Sequence, residues 1–265
     1  MNNYLSNQIY GVTRDAVTNE YAIVTAFHDM GNLRRVISEN HTELTWKKVI
    51  YMLWRISWGL DDIHQKDYHH KDFHSGNILN RIYDDGDDIF SVISDFGLCR
   101  PANESATDKA VYGVIPFVAP EVLRGGKYSN AADVYGFGMI MWEILSGEPP
   151  FIDREYDQYL IRDICLKELR PLIPEYAPEP YVTLMKQCWD PIHTNRPTAG
   201  QLFRQLFNWN RIFYYGLKVD DDEIKRAFSK EREDEWKERL AERVKNLQAV
   251  KESHNLFTSK RLDGM

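Results

Sequence analysis

The chain has 265 residues, 43% of them hydrophobic, a formal net charge of −7 and a pI near 5.7. That is enough apolar material for one large domain with an appendage, and it excludes a wholly disordered chain. The acidic balance argues against bulk binding of nucleic acid or of an anionic membrane surface, both of which favour a basic face.

Cys99, Cys165 and Cys188 are widely spaced, so neither a disulfide framework nor a zinc knuckle is indicated, and a reducing, cytoplasmic setting is expected. Met1 to Gly11 lacks a basic region followed by an apolar run, the mark of a secretory signal. Val134 to Leu145, the most apolar stretch, is too short to span a bilayer.

In chain order, Ile9 to Thr13 and Tyr21 to Thr25 are β-branched and aromatic runs around the polar segment Arg14 to Glu20, which predicts a β-hairpin. Asp29 to Leu33 breaks the strand and opens a short helix. Thr45 is the expected N-cap of the next helix, where Val49, Leu53, Ile56, Leu60 and Ile63 form one apolar stripe. Ile78-Leu79 and Ile89 to Ile93 predict two strands joined by the acidic turn Tyr83 to Asp88. The spacing in that turn does not fit a calcium-binding loop. Ala131 to Leu145 is apolar nearly all round and predicts a buried helix, ended by Gly147-Glu148-Pro149-Pro150. Asp220 to Val250 is highly charged, with Trp236, Leu240, Val244 and Leu247 at helical spacing. It predicts a solvated helix with a narrow docking stripe; pairing with a partner chain or folding back on the domain are the alternatives. Ser253 to Met265 has no periodicity.

The chemistry concentrates between His70 and Gly97. His70-Lys71-Asp72 is followed five residues after the Asp by Asn77, and later by Asp95-Phe96-Gly97. Phosphoryl transfer needs a base to orient a hydroxyl and oxygen ligands to hold magnesium against a triphosphate, and Asp, Asn and Asp suit those tasks. Ala119-Pro120-Glu121, Asp133 to Gly138, Leu169-Arg170-Pro171 and Cys188 to Pro191 through Arg196-Pro197 follow in order. His69, His70 and His74 crowd one loop, but with no cysteine nearby and the acids otherwise accounted for, zinc is disfavoured.

From about Ile9 to Phe207 these motifs resemble the eukaryotic protein kinase family, nearest its tyrosine-kinase-like branch. The resemblance implies an α+β fold: a mainly helical C-terminal lobe with a two-stranded remnant of the N-terminal lobe. It divides the chain into residues 1–33 (remnant strands and hinge), 34–207 (C-terminal lobe) and 208–265 (charged helical tail). By the same resemblance Asp72 is the catalytic base, Asn77 and Asp95 ligate Mg2+, and His70 packs beneath Asp95. Thr25 is the gatekeeper, Ala26 and His28 offer backbone groups to the adenine of ATP, Leu79 lies under the ring and Asn32 near the ribose. Glu121 and Arg196 form a buried ion pair, and Asp133 belongs to the central-helix motif. Lys71 would receive a phosphate placed on Ser105, Thr107 or Tyr112.

Three positions depart from the pattern. Lys71 replaces the usual Arg, His74 stands where serine/threonine kinases usually carry Lys, and Val114 replaces a threonine. The family's glycine-rich loop, its strand Lys and the Glu that pairs with it have no counterpart before the hinge, where Gly11 is the only glycine and no Lys precedes Lys47. The expected function is therefore ATP-dependent phosphorylation of protein Ser/Thr or Tyr hydroxyls by an N-terminally incomplete domain. A pseudokinase or binding module, with a partner at the hinge or the C-terminal helix, and a small-molecule phosphotransferase stand as alternatives.

Overall fold

The computed structural model describes residues 7–82, 88–101, 112–215, 222–250 and 259–262. The first two runs pair as an antiparallel ribbon, β1 (Ile9–Arg14) with β2 (Tyr21–Thr25), Ile9 opposite Thr25. Its turn is held by the Asp15 carboxylate, which accepts the Val17 and Thr18 amides at 2.7 and 2.8 Å. Every residue in the two strands except Gly11 is exposed.

Beyond the ribbon the chain enters β3 (Gly31–Asn32) and α1 (Leu33–Glu39). Asn32 caps that helix, its side-chain oxygen accepting the Arg35 amide at 2.9 Å. Thr45 caps α2 (Trp46–Gln65) in the same way through the Lys48 amide, and all five residues of the predicted stripe are buried. β4 (Tyr68–His69) leads into the loop that carries Asp72. β5 (Ile78–Ile82) and β6 (Ile89–Ile93) then form an antiparallel sheet with β3, in the order β3-β5-β6. Most of the acidic turn between β5 and β6, residues 83–87, lies outside the described residues.

β7 (Arg100–Pro101) pairs with β4, and β8 (Tyr112–Gly113) precedes α3 (Pro120–Leu123). α4 (Asn130–Ser146) is buried on all sides from Ala132 to Ser146, and Gly147 ends it in the left-handed region at φ +75°. α5 (Gln158–Leu166), α6 (Glu179–Cys188) and α7 (Ala199–Tyr215) complete the lobe. α2 packs along α7 and beneath β6, while α4 packs on α6. The architecture is the expected α+β one, rich in helix with small antiparallel sheets.

The boundary expected after Phe207 falls inside α7, which runs on to Tyr215. α8 (Asp222–Ala227) and α9 (Lys230–Val250) follow, and the charged helix folds back on the lobe. Trp236 and Leu240 are fully buried. The Trp236 ring stacks on Trp46 at 4.2 Å, and its indole N–H donates to Leu145 O at 3.0 Å. Glu233 Oε2 accepts the Trp46 amide at 2.8 Å, so α9 also caps the start of α2. Two large side chains suffice for this docking, which is why a stripe too short for a coiled coil still has a partner within the chain. The side chains of Val244 and Leu247 lie outside the described residues. A short strand, β9 (Lys260–Arg261), pairs antiparallel with β8.

Candidate active site

The loop that carries Asp72 is fixed from below by α4. Asp133, buried in the first turn of that helix, accepts the backbone amides of His70 and Lys71 at 3.0 and 3.1 Å. It also accepts His64 Nε2 at 2.9 Å and the Tyr128 hydroxyl at 3.1 Å. Burial pushes the Asp133 carboxyl up, but His64, the charge of His70 and the His70 amide outweigh it and hold the group below its ordinary value. These bonds help keep Lys71 in the left-handed region at φ +69°, a costly conformation for a residue with a side chain. Gly136 lets α4 approach closely, since a Cβ there would lie 2.5 Å from Phe73 O.

His70 is fully buried. Its Nε2 donates to Ser94 O at 2.9 Å, and its ring packs on Phe73 and Phe96. The residue thus ties the Asp72 loop to the backbone immediately before Asp95.

Asp72 and Asn77 are in direct contact, Asn77 Nδ2 donating to Asp72 O at 2.9 Å and to Asp72 Oδ2 at 3.2 Å. Asp95 joins the pair through Ser94, whose amide and hydroxyl both donate to Asn77 O, at 2.8 and 2.9 Å. Ile78 lies opposite Ile93, so Asn77 and Asp95 leave the β5–β6 ribbon at the same end. Asp95 is exposed, with left-handed backbone at φ 57°, and its Oδ1 accepts the Gly97 amide at 3.2 Å. The Asn77 amide nitrogen is committed to Asp72, and a cation at this residue would take its oxygen. An amide oxygen and a carboxylate are both hard donors, the kind magnesium takes.

His74 Nδ1 accepts the Gly76 amide at 3.0 Å, so in the neutral ring the proton sits on Nε2. That nitrogen lies 3.4 Å from Asp72 Oδ1. Burial pushes the Asp72 carboxyl up, yet His74, the Ser259 hydroxyl and the charge of His70 together bring it below its ordinary value. Gly113, at φ +142°, passes close by, a Cβ there falling 3.7 Å from Asp72 Oδ1. Val114 is buried beside it.

On the hinge side, the Ala26 amide donates to Gln8 O at 2.9 Å and His28 O accepts the Gly31 amide at 3.0 Å. The Thr25 hydroxyl makes a long bond to Ala26 O at 3.5 Å. Burial, then the charge of Arg81, pushes the His28 imidazole down, and its Nε2 lies 3.1 Å from Asn7 Oδ1. Asn32 and Leu79 sit opposite each other across β3 and β5, with Leu79 partly exposed.

Among the regulatory candidates, Tyr112 is half-buried in β8, while Ser105 and Thr107 lie outside the described residues. Glu121 and Arg196 form a two-pronged pair, at 2.7 and 2.8 Å, with the Arg196 side chain fully buried. Arg196 also donates to Ala131 O and Asp190 O.

Sequence reasoning missed several contributors. His64 and Tyr128 complete the shell of Asp133, and Arg34 joins Glu143 to Ser75 at 3.2 and 3.1 Å. Ser259 stands at the centre of the site, its hydroxyl donating to Asp72 Oδ2 at 2.7 Å and lying 3.4 Å from His74 Nε2. No pattern in Ser253 to Met265 pointed to it.

The sequence profile of the protein tyrosine and serine/threonine kinase family matches residues 4–206. The chain belongs to that family. This kinase chain is 36% identical over 187 residues, 69% of its length, to a protein of Acanthamoeba polyphaga mimivirus whose name describes a serine/threonine-protein kinase/receptor. It is 32% identical over 188 residues, 71% of its length, to one from Dictyostelium discoideum named as a serine/threonine-protein kinase. Mitogen-activated protein kinase kinase kinase 10 of Xenopus laevis shares 34% over 178 residues and supports the tyrosine-kinase-like relationship. The matches span 11%, 11% and 17% of these three relatives, so the chain covers a small part of their length.

Proposed function

We propose that this kinase chain transfers the γ-phosphoryl group of ATP to serine or threonine hydroxyls of proteins. The observation that carries the reading is the linkage of Asp72, Asn77 and Asp95 through Asn77 Nδ2 and the amide and hydroxyl of Ser94. Asn77 and Asp95 would hold Mg2+, which when bound supplies positive charge to the phosphates. Asp72 orients the acceptor hydroxyl and takes its proton, and His74 keeps one Asp72 oxygen company in a buried setting. At the hinge, the Ala26 carbonyl, which holds only a long bond from the Thr25 hydroxyl, and the His28 amide would be offered to adenine, since the Ala26 amide and His28 carbonyl are paired. Leu79 lies under the base and Asn32 near the ribose. The preference for serine and threonine draws on the names of the relatives.

A phosphate on Ser105, Thr107 or Tyr112, paired with Lys71, would order the segment after Asp95. The setting is signalling in the cytoplasm; among the described residues no helix is long and apolar enough to cross a membrane. The test is Asp72→Asn assayed with magnesium and ATP. Turnover should fall about 10²- to 10⁴-fold with nucleotide affinity unchanged by calorimetry. Equal turnover in the two proteins would refute the role of Asp72.

A further inference from the structure

We propose that Ser259 is a phosphoacceptor for the catalytic site of its own chain, presented to Asp72 by the pairing of β9 with β8. The inference rests on the kinase reading above and adds a specific substrate to it. Backbone pairing sets the register: Lys260 lies opposite Gly113 and Arg261 opposite Tyr112, which puts Ser259 just past Gly113, where that strand passes Asp72. The hydroxyl then donates to Asp72 Oδ2 at 2.7 Å, within the range a general base needs for the proton it abstracts. His74 Nε2, 3.4 Å away, bounds the hydroxyl on a second side. Three residues on, Leu262 is 6% exposed and joins the apolar core of the lobe, so the segment is anchored at its far end. Ser259 itself is exposed as a residue, while its hydroxyl reaches into a part-buried contact with Asp72. An extended segment held by main-chain pairing and one apolar anchor is a recognised way for a peptide to occupy a groove.

The step balances without any redox partner. A bond forms between Ser259 Oγ and the γ-phosphorus of the nucleoside triphosphate, and the bond from that phosphorus to the β-γ bridging oxygen breaks, releasing the diphosphate. The hydroxyl proton passes to Asp72 Oδ2. The product carries a charge of about −1.5 to −2 next to the Asp72 carboxylate, so like-charge repulsion works against the β8–β9 pairing. Transfer therefore clears the groove that the unmodified tail fills, and the groove becomes open to other substrates.

The full 265-residue chain, its Ser259→Ala and Leu262→Asp variants and Asp72→Asn should be incubated with magnesium and ATP. A serine/threonine peptide array is supplied in trans, and the modified residues are read by tandem mass spectrometry. Phosphate is expected on Ser259 of the parent chain and on neither Ser259→Ala nor Asp72→Asn at that position. Because a tethered acceptor sits at an effective concentration of about millimolar, its rate constant should hold over a hundredfold dilution, and Leu262→Asp should slow it at least ~10-fold. Without nucleotide, hydrogen exchange at Arg261 and Tyr112 should be slow in the parent chain and fast in Leu262→Asp. Array phosphorylation with Ser259 unmodified would overturn the acceptor assignment and leave the kinase reading standing. Transfer to neither would sink both. A rate that scales with protein concentration, or fast exchange at Arg261 in the parent chain, would overturn presentation in cis.

Discussion

Asp133 gathers four donors at the base of the catalytic loop, whereas the β1–β2 ribbon leaves every strand residue but Gly11 exposed. Both regions would contribute to the proposed nucleotide site, yet the first is specified many times over and the second mainly by its own ladder. Ile9, Tyr10, Val12, Tyr21 and Ile23 are each at least 60% exposed. A two-stranded ribbon in water is marginal, while a satisfied buried network is costly to disturb. The catalytic side of the site should therefore be rigid and the hinge side easily shifted.

The sharpest way to break this contrast is at the Glu121–Arg196 ion pair, whose guanidinium is fully buried. Arg196→Met leaves Glu121 without its partner and should cost about 3 to 5 kcal/mol, read by urea denaturation. A loss under 1 kcal/mol would mean the lobe is less tightly specified than its hydrogen bonds suggest. Trp236→Ala should cost about 3 kcal/mol, because it empties the space the indole fills against Trp46 and removes a donor to Leu145 O, which keeps the Tyr176 hydroxyl at 3.3 Å. If α9 were only loosely attached, the melting temperature would not move.

Acid should act on the lobe in a definite direction. Arg154, then Lys167, hold the Asp163 carboxyl well below the usual carboxylate range. A depressed folded-state value gives stability that is present above the unfolded value near ~3.9 and is lost as pH falls towards the folded one. Unfolding free energy should thus drop as pH is lowered below about 4, and Asp163→Asn should flatten that drop. An unchanged slope in the variant would rule out this source. The smallest effect belongs to the ribbon, where Ile23→Thr should change global stability by no more than about 0.5 kcal/mol. A larger cost would show that the ribbon is buried against something in solution.

Legibility in the sequence followed the same division. The α2 stripe, its Thr45 cap, the all-round apolar α4 and its Gly147 stop could be read because periodicity and capping are local signals. The motif residues Asp72, Asn77 and Asp95 were found by fixed spacing, and the structure links them through Ser94. His64 and Tyr128 had no such spacing; their roles exist only because folding brings them to Asp133. β9 is two residues long and owes its conformation entirely to β8, so no propensity in Lys260-Arg261 could announce it. Trp236 was assigned to the right helix face, but the number of apolar residues on that face understated the grip of one indole stacked on another.

That stacked pair has a practical consequence for anyone trimming the chain. The family match ends at residue 206, in the middle of α7, while the indole that covers Trp46 arrives 30 residues later. A truncation at the recognisable border would sever a helix and strip the cap from the α2 amide at Trp46. The apolar core of the lobe therefore reaches past the stretch that the family profile matches, taking in Trp236, Leu240 and Leu262.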